Sequence, residues 1–213
     1  RIQRNGAFFS LSEMLENGTE DWIERIGWDR DGLLYKIYDN MSSVYSAEKK
    51  TRTDQSDSQD RAAYQKLIDN LNESIAQTNR IIYAYDNINI PQTISYFATL
   101  ALISSQDHGH KNFYLYQDCN NTKEWSLLPW DIDLSWGRNW LDSPGYLSDT
   151  LYTNNVLSFY NSTQQSKESN RLYNLFFNTP EFRLMYLTRL RTLSDLFLQN
   201  SNMPADQSPV AES

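Results

Sequence analysis

Cysteine is almost missing from this chain: among 213 residues only Cys119 carries a thiol. That excludes an internal disulfide framework and a thiolate metal cluster. Positive charge is also in short supply. Lys and Arg number 19 against 27 Asp and Glu, giving a formal charge of -8, which argues against a broad nucleic-acid-binding face. An acidic chain can still hold nucleotide phosphate, because a metal ion and a few local cations decide that matter. No apolar run approaches the length of a membrane span, and no signal-peptide pattern is present. The chain opens at Arg1 inside sequence that reads as structured. A fragment is therefore expected, and the missing leader does not place the protein in the cytoplasm.

What is present points to a packed domain. Hydrophobic residues make up 39% and aromatic residues 14%, too much for a wholly disordered chain. The length suits one sizeable core, or one domain and part of a second. Asn-x-Ser/Thr triplets start at Asn17, Asn40, Asn72, Asn120 and Asn161. They are compatible with an exported eukaryotic protein and also with chance in a chain so rich in these residues.

Local patterns divide the chain. "NGAFFSL" reads as a turn and a short extended segment, and Ser10 with Glu13 has capping-box spacing ahead of one or two short helices. A turn at Asp31-Gly32 leads into a strand from Leu33 to Tyr38. Leu33, Tyr35 and Ile37 share one face of it, and Leu34, Lys36 and Tyr38 the other. Residues 46–60 have almost no apolar content and predict a loop or mobile insertion. A helix is expected over about 61–80, from Tyr64, Leu67, Ile68, Leu71 and Ile75 at helical spacing. Another starts near Pro91 and carries Ile94, Phe97, Ala98, Ala101 and Leu102. "KNFYLYQD" and "WSLLPWDIDLSW" predict the arms of a hairpin around the turn "NNTKE". Residues 161–170 are a polar loop. Two helices divided at Thr179-Pro180 follow, the second buried through Phe182, Met185, Tyr186, Leu190, Leu193 and Phe197. The tail from Asn202 is polar and expected to be mobile.

The predicted hairpin would bring Asp107–Asn112 close to Asp131–Asp133, and with them the chemistry. Asp107 and Asn112 stand five residues apart between a helix and a strand. A carboxylate that meets a hydroxyl and an amide that helps hold a metal between phosphates have this arrangement in kinase catalytic loops. Both residues are equally at home as simple caps and turn formers. Asp131 and Asp133, at i and i+2, would face the same way on extended backbone, with Ile132 turned into the core. Two such carboxylates repel unless a cation or proton intervenes, and their hard oxygens suit Mg²⁺. The bland alternative is an acidic edge beside a tight turn. Trp130 and Trp136 read as packing residues. His108 and His110 could meet Asp107 in a zinc site, but a third strong nitrogen or sulfur donor is not evident. They could instead orient the loop or meet a phosphoryl group.

These motifs carry a resemblance. "NGAFFSLSE", "GLLYK", "DHGHKNFYLY", "LLPWDIDLSWG" and "NLFFNTPEFRLMYLTRL" are similar, in this order, to segments of the spore-coat-protein-H (CotH) kinase family of secreted or surface-associated atypical protein kinases. The central pair in this spacing is specific, whereas "WDID" alone would not be. The resemblance implies an α+β fold: a truncated atypical protein-kinase-like domain, mostly a helical C-terminal lobe with short β-hairpins. Residues 1–40 would be the remnant of a strand-rich N-terminal lobe, 41–60 a polar loop or insertion, 61–200 the kinase-like C-terminal lobe and 201–213 a mobile tail.

The resemblance also implies roles. Asp107 would be the catalytic aspartate and Asn112 the metal-supporting amide beside it. Asp131 and Asp133 would hold the metal, and Lys36, the lysine of "LYK", would contact substrate or phosphate. Glu13 matches a recurrent acidic position. The cofactors implied are ATP and Mg²⁺, with Mn²⁺ as a substitute, and the partner is a protein bearing a Ser or Thr hydroxyl, outside the cell or on its surface. A glycine-rich G-x-G-x-x-G loop is lacking. The family's nucleotide-gripping region would largely precede Arg1, so this fragment could be inactive even where its parent works. The competing reading is a non-catalytic adhesion or interaction module of the same fold, and a further one is metal-dependent hydrolysis.

Overall fold

The structure, a computed structural model, describes residues 2–10, 16–38, 40–52, 57–105, 111–136 and 170–198. At the start, β1 (Ile2–Arg4) and β2 (Ala7–Ser10) pair as an antiparallel hairpin. Its turn is Asn5-Gly6, both at positive φ, a pair suited to the left-handed residues that a tight hairpin needs. The sequence predicted only its second arm.

A four-stranded antiparallel sheet sits at the centre. It contains β3 (Leu33–Ile37), β4 (Ala47–Lys49), β5 (Phe113–Gln117) and β6 (Trp125–Pro129) in the order β4-β3-β5-β6. The expected strand and hairpin are both present, and in β3 alternation sorts the side chains as predicted. Leu33, Tyr35, Ile37, Phe113, Leu115, Trp125 and Leu127 enter the main core. Leu34, Tyr114, Tyr116, Leu128 and Trp130 face the other way, onto Trp22 and Ile23 of α1 (Glu20–Arg25) and Ile26, which caps it. Gly32 lies against the Tyr116 ring, where any side chain would collide.

The main core is closed by helices: α2 (Asp57–Asn70), α3 (Gln77–Asn87), α4 (Ile90–Leu102), α5 (Arg171–Asn178) and α6 (Pro180–Phe197). Each fully buried Phe or Leu there contributes about 1.5–3 kcal/mol. The cap of α4 is Asn89, whose side chain accepts from the Gln92 amide at 3.1 Å. Gln92 in turn uses its own side-chain amide on the backbone of Leu127. That satisfies polar groups on the outer strand β6, which would otherwise be an open edge.

Several expectations are corrected. The helix expected over 61–80 is two helices, because Asn72 makes a turn by accepting from the Ser74 amide at 3.0 Å. Ile75 falls in that turn, and α3 was missed. Within the expected loop at 46–60, Ala47–Lys49 forms β4 and α2 begins at Asp57. What holds this polar stretch in place is charge: Lys49 and Asp60 pair at 2.6 Å with side chains only 8% and 7% exposed, and Arg52 reaches Asp60 at 3.3 Å. On α6, Phe182, Tyr186 and Leu193 are buried as expected, whereas Met185 and Phe197 are exposed. The expected polar loop at 161–170, apart from Asn170, and the tail lie outside the described residues. No described helix is long and apolar enough to cross a membrane.

Candidate active site

Three chain segments meet at one end of the sheet: the end of β3, the residues leading into β5 and those leaving β6. The ladder between β5 and β6 ends at the pair Phe113–Pro129. One step beyond, the Trp130 amide donates to the Asn112 carbonyl at 3.2 Å, and the Asn112 amide donates to the Ile37 carbonyl at 3.2 Å. Asn112 (φ +61°) and Asp131 (φ +53°) both adopt left-handed backbone. Asn and Asp tolerate this region better than most residues, and strained residues gather where a site needs them.

Asp131 and Asp133 are brought together, but not as the sequence reading supposed. The segment after Pro129 is not extended strand. The left-handed turn at Asp131, rather than pleat alternation, sets its direction. Ile132 is accordingly 43% exposed instead of anchored in the core. Burial first, then the charge and hydrogen bonding of Asp133, push the Asp131 pKa above the ordinary carboxylate value, while Lys111 and Lys36 pull it back. Two acids crowded in this way share a proton or accept a cation.

Lys36 supplies the opposing charge. It is the next-to-last residue of β3, with Glu48 of β4 and Tyr114 of β5 as its register partners. Its ammonium lies 4.2 Å from the centre of the Trp130 ring and 4.7 Å from that of Tyr38. Trp130 is held edge-on against Tyr114, with centroids 5.5 Å apart. Burial, followed by the charge of Lys50, lowers the Lys36 pKa, and Glu48 and Asp131 partly restore it. Glu48 accepts a hydrogen bond from the Tyr38 hydroxyl and one from Lys50 at 3.3 Å. The Tyr38 bond lowers the Glu48 pKa.

Of the residues singled out in sequence, Asn112, Asp131, Asp133 and Lys36 therefore share one end of the sheet. Asp107, His108, His110 and Glu13 lie outside the described residues. The sequence reading missed Glu48 and Lys50, because their segment looked like a loop. It also missed Lys111, and it took Trp130 for packing alone, although "KN" and "PWD" flank the two left-handed turns.

A family model described as "CotH kinase protein" matches residues 2–206. The chain belongs to the CotH kinase family. No curated protein sequence matches the chain. Among the described residues, no group of three or more His, Cys, Asp or Glu is gathered so as to hold a metal ion. The donors that a CotH kinase site could offer here are two carboxylates and the neighbouring Asn112 amide. This is a hard-oxygen set of the kind that suits Mg²⁺ with water and phosphate completing its shell. The raised pKa of Asp131 fits it too, since a divalent ion would relieve the same crowding.

Proposed function

We propose that this chain is the phosphotransferase domain of an atypical protein kinase, moving the γ-phosphoryl group of ATP to a Ser or Thr hydroxyl. The observation that carries the reading is the meeting of Asp131, Asp133 and the Asn112 turn at the sheet end where Lys36 also lies. Asp131 and Asp133, supported by Asn112, are the residues that would hold Mg²⁺. The metal, when bound, neutralises charge on the phosphates. Lys36 takes a phosphate oxygen. Asp107, assigned by the family motif, orients the substrate hydroxyl and accepts its proton late in transfer. Catalysis of this kind rests on positioning and field, so losing one ligand lowers turnover far more than stability.

The test is transfer of labelled phosphate to protein by the wild-type protein and by its Asp107→Ala, Asp131→Ala and Asp133→Ala variants. Losses of at least 10²-fold are expected, in line with removal of one preorganised electrostatic group. Near-normal rates in all three reject the assignment. A wild-type protein that binds neither ATP nor Mg²⁺ in calorimetry supports the non-catalytic interaction module instead.

A further inference from the structure

Lys36 is a flexible lysine in an inflexible setting. A lysine on a strand normally lays its stem on the sheet and leaves its ammonium in water. Here the ammonium instead rests against two aromatic rings, Trp130 at 4.2 Å and Tyr38 at 4.7 Å. Glu48 is its direct neighbour across β3–β4, the obvious ion-pair partner. Yet no carboxylate oxygen of a described residue comes within ion-pair distance of Lys36. The Glu48 oxygens are engaged by the Tyr38 hydroxyl and by Lys50. A π face attracts the charge of an ammonium but accepts little from its N–H donors. Those donors thus remain available beside Asp131.

We infer that Trp130, Tyr38 and Glu48 are positioning residues for Lys36. The two rings hold its ammonium in place, and Glu48 fixes the Tyr38 ring while being kept from clamping the ammonium itself. Lys36 is thereby presented, with its donors open, to a phosphate oxygen of a ligand bound at Asp131 and Asp133. This rests on the phosphate-binding half of the reading above and does not require transfer to protein.

The probe is inorganic pyrophosphate with excess Mg²⁺, titrated calorimetrically into the full chain. It is paired with NMR of the Lys36 side-chain Cε–Hε signals, assigned by their loss in Lys36→Gln. In the wild type the ring faces should shift those signals upfield, and Lys36→Gln should weaken binding by about tenfold or more, as expected for one charge-assisted contact. Trp130→Leu should move the Lys36 signals back toward those of an ordinary lysine and weaken binding as much as Lys36→Gln does. Trp130→Phe, which keeps a ring face, should retain most of both properties. It also provides a usable comparison if Trp130→Leu does not fold. Glu48→Gln, with the amide spectrum otherwise preserved, should shift the Lys36 signals and weaken binding several-fold.

The inference is overturned if the folded Trp130 variants bind as tightly as wild type, or if Trp130→Phe falls to the level of Lys36→Gln. It is also overturned if wild type does not bind the probe. Lys36-dependent binding without any protein phosphorylation would remove the kinase reading and leave this inference standing.

Discussion

The Trp130 amide donates to the Asn112 carbonyl at 3.2 Å, one step past the last rung of the β5–β6 ladder. A single backbone bond therefore fastens the neutral amide residue to the acidic turn. Side-chain changes at Asp131 can then be read as electrostatics, because the backbone just before it is held to the end of the ladder.

Asp131→Asn should stabilise the metal-free protein near neutral pH. The Asp131 pKa is raised above its ordinary 3.8 by burial and by Asp133. A raised carboxylate favours folding below the unfolded value and loses that contribution as pH climbs through the folded value. The variant should thus match wild type near pH 3 and exceed it slightly at pH 7, by about 0.5 kcal/mol for so exposed a group. Added Mg²⁺ should reverse the order, since only the intact pair gains from the ion. Thermal melts from pH 3 to pH 8, with and without Mg²⁺, check this. A neutral-pH loss in metal-free Asp131→Asn would contradict it.

Asp60→Ala should cost about 3–5 kcal/mol, the penalty for stranding a buried partner. Asp60 pairs with Lys49 at 2.6 Å and with Arg52 at 3.3 Å, and the Lys49 side chain is almost wholly covered. Urea titration should show a lower midpoint at unchanged slope. A shift under 1 kcal/mol would mean that the Lys49 ammonium finds water.

Gly32→Ala should destabilise by about 1–3 kcal/mol, because the added methyl meets the Tyr116 ring. That ring cannot easily retreat: it is buried, its hydroxyl donates to the Asp29 carbonyl at 2.9 Å and it packs 4.8 Å from Trp28. Combining Gly32→Ala with Tyr116→Leu should recover part of the loss if the collision is the cause. Strictly additive losses in the double variant would assign the effect elsewhere.

Tyr38 should ionise late. Its bond to Glu48, with burial second, raises its pKa from 10.0 to about 12. The sign follows: this contribution to stability is intact below pH 10 and fades as pH rises through about 12. Ultraviolet difference titration of wild type against Tyr38→Phe should isolate one phenol with a midpoint near 12, and Glu48→Gln should bring it toward 10. A midpoint unmoved by Glu48→Gln would show that burial alone sets it.

The parts of the fold legible in sequence were those in which one local pattern dominates. Alternation in "LLYKI" set both faces of β3, the aromatic run "NFYLYQ" marked β5 as a strand, and Pro180 divided the last two helices. β4 stayed hidden because "AEK" has one small apolar residue and its place depends on pairing with β3 and on Asp60. α3 was absorbed into its predecessor because helical spacing carries past Leu71, and only the Asn72 turn interrupts it. At the site, the residue types were visible but their geometry was not. A left-handed Asp131 is a backbone choice imposed by neighbours, and no periodicity announces it.

The ends of β3 and β5 that frame the site come from positions roughly eighty residues apart in the chain, a separation whose closure costs entropy before any contact repays it. Lys36 and the acidic turn therefore cannot become neighbours until β3 has found β5. A nascent or partly unfolded chain has the charges but not their convergence, so the proposed phosphate binding should be a late acquisition and a sensitive reporter of complete folding.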